Sequence, residues 1–309
     1  MKIGRIIALA AILLVVACAF AFWFLTRPQR LDAETLAAVG EGDAGRGERM
    51  FWAGGCSSCH AAPDAADDAR FNLAGGVRLD TDFGTFVAPN ISQHEEDGIG
   101  AWSVEDFANA MLRGVSPGGN HYYPAFPYTS YTRMSPSDVG DLYAFLSTLP
   151  AVEGEAAAHE LGFPYSFRRG LGLWKLLYLD DGPAVALESP SEQVALGQYL
   201  VEGAGHCGEC HTPRNLVGAS DTGQWLAGAE AAEGDGNVPN ITPGEDGIGG
   251  WSEADIVTML ETGFTPEFDS VGGDMAAVQR HMAQLPASDR EAIAAYLKAI
   301  PDLPDGYSR

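Results

Sequence analysis

The sequence predicts an all-α protein: an apolar N-terminal helix followed by two copies of one helical unit. Three observations lead to that class. Ile3 to Leu25 is apolar apart from Gly4 and Arg5. An ordered set of motifs recurs about 150 residues after its first appearance. No sustained alternation of apolar and polar residues marks a sheet core.

As a helix rising about 1.5 Å per residue, the N-terminal run is long enough to cross a hydrocarbon core of roughly 30 Å. Lys2 and Arg5 flank one end and Arg27 and Arg30 the other, so positive charge does not set the orientation. A cleaved signal peptide and lipid processing at Val15-Val16-Ala17-Cys18 are alternatives, but apolar residues continue well past Cys18. Residues 1–30 are therefore read as an uncleaved, single-pass transmembrane anchor.

The first unit, residues 31–150, carries Cys56-Ser57-Ser58-Cys59-His60, then Ala88-Pro89-Asn90-Ile91-Ser92 and Gly98-Ile99-Gly100-Ala101-Trp102-Ser103. The second, residues 191–309, repeats them as Cys207-Gly208-Glu209-Cys210-His211, Val238-Pro239-Asn240-Ile241-Thr242 and Gly247-Ile248-Gly249-Gly250-Trp251-Ser252. Order and spacing agree, as a duplication requires. In each copy a Ser followed three places on by an acid (Ser103/Asp106, Ser252/Asp255) predicts a capped helix start, and Gly114 and Gly263 predict its stop. A short helix is expected before each Cys pair, over Gly45–Trp52 and Glu192–Val201. A last helix follows near Ser135-Pro136 and Ser288, burying Val139, Leu142, Phe145 and Leu146 in one copy and Ile293, Tyr296, Leu297 and Ile300 in the other. Residues 151–190 join the copies. Leu173-Trp174-Lys175-Leu176-Leu177 is too apolar for a free tether, so this is expected to be a packed linker, between the domains or against a partner.

The chain of 309 residues has 18 Lys and Arg against 42 Asp and Glu, a net charge of −24. That balance repels phosphate backbones and argues against nucleic acid as a partner; it would instead steer a partner with a basic docking face.

Four of the five cysteines fall in the two Cys-x-x-Cys-His pentads; the fifth is Cys18. On one helical turn the first Cys, the second Cys and the His share a face. Two thiols there can add to the vinyl groups of a haem while the imidazole ligates its iron. A zinc site needs further cysteine or histidine ligands, and neither repeat has another cysteine. Two covalently bound haem c groups are expected, attached at Cys56, Cys59, Cys207 and Cys210, with His60 and His211 on the iron. The distal ligand of the second is expected to be Met275, placed on a Gly-rich loop, with Met282 as runner-up. In the first, Met134 competes with His121 and with an open site, and Met134 is preferred. No Ser/His/Asp constellation, P-loop or dinucleotide fingerprint is present, and an electron-transfer protein rather than an enzyme is expected.

Both units resemble class I cytochrome c domains, over about residues 40 to 300. The Pro-Asn-Ile-Ser/Thr, Gly-Ile-Gly and Trp-Ser pattern resembles the cytochrome c subunits of membrane-bound periplasmic dehydrogenases for alcohol, gluconate, fructose or aldehyde. The Tyr123-Pro124-Ala125-Phe126-Pro127-Tyr128 stretch shares that resemblance. It implies a periplasmic carrier that takes electrons from a dehydrogenase catalytic subunit and passes them to quinone, another cytochrome or a terminal oxidase. Members often have Met where Phe126 stands, and many have three haems. The alternative is a dihaem peroxidase-type enzyme with one open haem site.

Overall fold

With no charged residue after Arg5, the N-terminal run satisfies its backbone polar groups internally and forms one helix, α1 (Lys2–Leu25). It is seen in a computed structural model that describes residues 2–231 and 236–308. From Ile3 onward α1 is exposed except at Phe22, and Ile3–Leu25 is long and apolar enough to cross a membrane.

The first repeat forms α2 (Ala33–Val39), α3 (Ala44–Ala53), α4 (Cys56–His60), α5 (Val104–Arg113), α6 (Tyr128–Tyr131) and α7 (Pro136–Leu146). The linker contributes α8 (Leu171–Tyr178). The second repeat forms α9 (Glu192–Glu202), α10 (Gly208–His211), α11 (Glu253–Thr262), α12 (Gly273–Met282) and α13 (Ala287–Ala299). Both expected capping boxes are present: the Ser103 and Ser252 hydroxyls accept from the Asp106 and Asp255 amides, and each carboxylate accepts from its cap's amide. Gly114 (φ 58°) and Gly263 (φ 81°) end α5 and α11 in the left-handed region.

The fold is mostly helical but not all-α. An antiparallel sheet joins β1 (Arg78–Thr81), β2 (Gly84–Val87) and β3 (Glu160–Leu161), and β4 (Ala229–Glu230) pairs with β5 (Asn237–Val238). Asp82-Phe83 makes the turn between the paired Thr81 and Gly84. Arg78 grips Glu160 with two bonds of 3.0 Å, drawing the start of the linker onto the hairpin. Strands of two to four residues are too short to display the alternation that announces a sheet.

Helix α3 crosses α7, and α9 crosses α13, at glycines. A Cβ on Gly47 would lie 1.9 Å from the Asp141 carbonyl oxygen, and one on Gly197 would lie 1.9 Å from that of Ala292. The absence of a side chain sets how closely each pair approaches. Apolar faces meet there: the expected Val139, Leu146 and Tyr296 join Phe51, Leu200 and Ile256 in one continuous buried core.

The repeats are fastened to each other reciprocally. Arg49 of α3 clasps Asp289 at the start of α13 with bonds of 2.6 and 3.0 Å, and Tyr199 of α9 donates to Asp138 at the start of α7. Asp289 is buried, while Arg49 keeps some access to water. Asp289→Ala is therefore expected to cost about 1–3 kcal/mol, below the loss from a fully buried pair, because the freed guanidinium rehydrates. A lowered urea midpoint of the haem-loaded protein checks this; an unshifted midpoint removes Arg49–Asp289 as a fastening.

The linker helix α8 touches both repeats: the Trp174 indole N–H donates to the Val217 carbonyl of the second at 2.9 Å, and Lys175 reaches the first. Gly172 packs against Thr26 just after α1, and Lys175 is buried, its ammonium donating to the Arg113 and Gly114 carbonyls at 2.7 Å.

Candidate functional site

Cys56, Cys59 and His60 lie on the single turn of α4; Cys207 caps α10, which holds Cys210 and His211. The helix before each pair delivers it, since α3 and α9 are locked by their glycine crossings. Burial pushes the Cys56 and Cys207 thiols up to about 12, so both are neutral thiols in apolar surroundings. Among the described residues no group of three or more His, Cys, Asp or Glu converges on a point as an ion cage does. The donors are spread along one face of a turn instead, as a flat macrocycle requires.

Both imidazoles are oriented the same way. The His60 Nδ1–H donates to the Pro89 carbonyl and the His211 Nδ1–H to the Pro239 carbonyl, each at 2.8 Å. That leaves Nε2 of each ring with its lone pair free to ligate. Burial holds both rings below the ordinary imidazole range, against the pull of the proline bond, so the neutral ligating form is favoured. The proline carbonyls are held in turn. Asn90 donates to the Val152 and Gly154 carbonyls and accepts from the Ser92 amide; Asn240 donates to the Leu303 carbonyl and accepts from the Thr242 amide. Sequence reasoning had the Pro-Asn-Ile motif as a mark of the repeat but not as the imidazole's support. Its recurrence at nearly the same distance after each His, 29 residues in one copy and 28 in the other, was the signal. The residues present thus fit two thioether-bound haems with histidine on the iron.

Met134 is buried and lines an apolar cavity with Cys56, Met50, Met111 and Tyr131. His121 is placed elsewhere: its Nε2–H donates to the Thr26 carbonyl at 2.9 Å, beside the end of α1. Met275 is partly buried against the core, in the first turn of α12 rather than on a loop. Met282, near the end of the same helix, is fully enclosed.

Each Cys-x-x-Cys turn is also held by the opposite repeat. His281 of α12 donates through Nδ1–H to the Ala277 carbonyl, so its Nε2 accepts the Ser57 hydroxyl at 2.6 Å. In the mirror position, the Thr129 and Ser130 hydroxyls donate to Glu209 at 2.6 and 2.9 Å. Burial alone raises the Glu209 carboxyl, but Arg214 and these hydroxyls outweigh it and hold it below the ordinary carboxylate range. The His206 ring donates to the Gly54 carbonyl across the same seam. The two attachment turns therefore face each other across the contact between repeats.

Residues 44–150 match the family described as Cytochrome c. The chain is 54% identical to a diheme cytochrome c-type protein of Cereibacter sphaeroides over 292 residues, 94% of this chain and 96% of that one. It is 36% identical to the fructose dehydrogenase cytochrome subunit of Gluconobacter japonicus, over 83% of this chain and 52% of that subunit. It is 35% identical to the cytochrome c subunit of the alcohol dehydrogenase (quinone) of Gluconobacter oxydans, over 84% of this chain and 55% of that subunit. The chain thus spans about half the length of these dehydrogenase subunits.

Proposed function

The chain belongs to the dihaem c-type cytochromes, with two covalently bound haem c groups, and from that premise we propose that it is a membrane-held carrier passing electrons from a dehydrogenase into the respiratory chain. Each repeat is one cytochrome c domain, over residues 31–150 and 191–309, joined by a packed linker over 151–190, with the anchor over residues 1–30. The observation that carries this reading is the pair of Cys-x-x-Cys-His turns, each imidazole turned by a proline carbonyl and each turn gripped by the other repeat.

Bound haem supplies a one-electron couple at its iron. Cys56 and Cys59 hold the first macrocycle and Cys207 and Cys210 the second. His60 and His211 would each ligate an iron, kept neutral and aimed by Pro89 and Pro239. Met275 and Met134 would supply the second ligand to each iron. Met134 is favoured over His121 because it shares a cavity with Cys56, while the His121 Nε2 is engaged at the end of α1. The facing turns favour electron passage between the two haems within one chain.

The donor is the catalytic subunit of a periplasmic dehydrogenase, as the resemblance to fructose and alcohol dehydrogenase subunits supports, and the acceptor is quinone, another cytochrome or a terminal oxidase. The chain's charge of −24 favours a docking partner with a basic face. The haem-bearing domains face the periplasm, from an anchor in the inner membrane. In membranes supplied in turn with ethanol, gluconate and fructose, at least one substrate is expected to reduce both haems within the turnover time, followed by reoxidation by oxygen. Haems that stay oxidised with every substrate would sink the dehydrogenase assignment.

A further inference from the structure

Helix α8 is amphipathic in the wrong sense for a water-soluble surface. Its charged residue, Lys175, points inward and is only 9% exposed, neutralising carbonyls at the end of α5 and lying 4.5 Å over the Tyr128 ring. Leu173, Leu176 and Leu177, spaced to share one face, point outward, Leu177 at 73% exposure. The same helix turned around its axis would bury three leucines and solvate the lysine. A helix that gives up that gain has its apolar face toward something other than water.

The position of α8 says what that is. Arg169, just before it, donates to the Thr26 hydroxyl at 2.9 Å and to the Trp23 carbonyl at 2.6 Å, and lies over the Trp23 ring. Phe167 stacks on Phe22, and Gly172 packs on Thr26. The leucine face therefore sits at the level where α1 leaves its apolar stretch. The apolar surface continues on both sides: Phe163 is 88% exposed, and Leu216 is 97% exposed on a loop tied to α8 by the Trp174 indole N–H donating to the Val217 carbonyl. The charge is local too. In a chain of −24, Arg27, Arg168 and Arg169 gather at this junction, the arrangement that suits anionic headgroups. Trp23, Trp174, Tyr165 and Tyr178 supply the amphipathic rings that favour a headgroup boundary.

With α1 read as the membrane anchor, we infer that α8 is a second membrane contact: its Leu173, Leu176 and Leu177 edge lies in the headgroup–acyl boundary of the bilayer that α1 crosses. The chain is then held at two places, by a spanning helix and by one lying flat beside it.

Site-specific photocrosslinking tests this on the full-length, haem-loaded chain in nanodiscs of phosphatidylethanolamine and phosphatidylglycerol. Benzoylphenylalanine replaces Leu177, Leu13 within α1, or the remote and exposed Phe268 in separate proteins, and adducts are read by mass spectrometry. Phospholipid adducts at positions 177 and 13, at least tenfold above position 268, are expected. Lipid at 13 but none at 177 overturns the inference and leaves the anchor standing. In native membranes, a protein adduct at 177 in place of lipid also overturns it, showing that a subunit covers the face. Lipid at neither position overturns the anchor reading, and this contact with it.

Discussion

Gly197→Val is expected to unfold the second repeat selectively. An ordinary contact between a methyl carbon and a carbonyl oxygen needs about 3.5 Å, and the Cβ alone would stand 1.9 Å from the Ala292 oxygen. The obstacle is backbone of α13, so no side chain can swing aside; α9 and α13 must separate. Tyr296 would lose its place against α9, where its hydroxyl donates to the buried Glu202, and α9 would no longer deliver Cys207. Overpacking of this kind costs typically ~1–3 kcal/mol and more when backbone is the obstacle, a large part of the roughly 5–15 kcal/mol that holds a domain. A urea titration followed at the haem absorbance should show one haem environment lost at much lower denaturant than the other. Gly250→Ala, with nothing within 4 Å of its Cβ, is the matched control and should leave the curve unchanged. A G197V curve that overlays the unsubstituted one would show that the helix crossing does not hold this repeat.

The second large effect is expected at Met134. If its sulfur completes the first iron's coordination, Met134→Leu removes a ligand while keeping nearly the same volume, so packing is preserved. About half of the near-infrared methionine–iron absorption of the oxidised protein should disappear, and the potential of one haem should fall or its iron turn high-spin. Met275→Leu should remove the other half. His121→Ala should leave the band intact, because the His121 Nε2 is engaged with the Thr26 carbonyl. A full band in M134L assigns the first distal position to another residue.

What could be read from the sequence was local chemistry. The Ser103/Asp106 and Ser252/Asp255 boxes and the glycine stops specify helix ends within a few residues, and they stand where their pattern put them. The Cys-x-x-Cys-His turns were equally plain, because one helical turn suffices to align their donors. Other features depended on distant chain. His281 meets Ser57 across more than two hundred residues, and no local pattern announces such a contact. Met275 was expected on a loop from its glycines, yet Gly272 and Gly273 lie at the threshold of α12 and the methionine falls inside it. The apolar Leu173–Leu177 stretch marked a packed segment, but the spacing of Leu173, Leu176 and Leu177 fits a face turned inward or outward alike. Only the packing of Lys175 decides between them.

The reciprocal seam has a consequence for the history of the molecule. Excised alone, the second repeat would expose Asp289 without its guanidinium and Glu209 without its hydroxyls, and the first would lose the imidazole that steadies Ser57. The two copies are therefore no longer interchangeable: a change at Asp289, Glu209 or His281 calls for a matching change at Arg49, at Thr129 and Ser130, or at Ser57 in its twin.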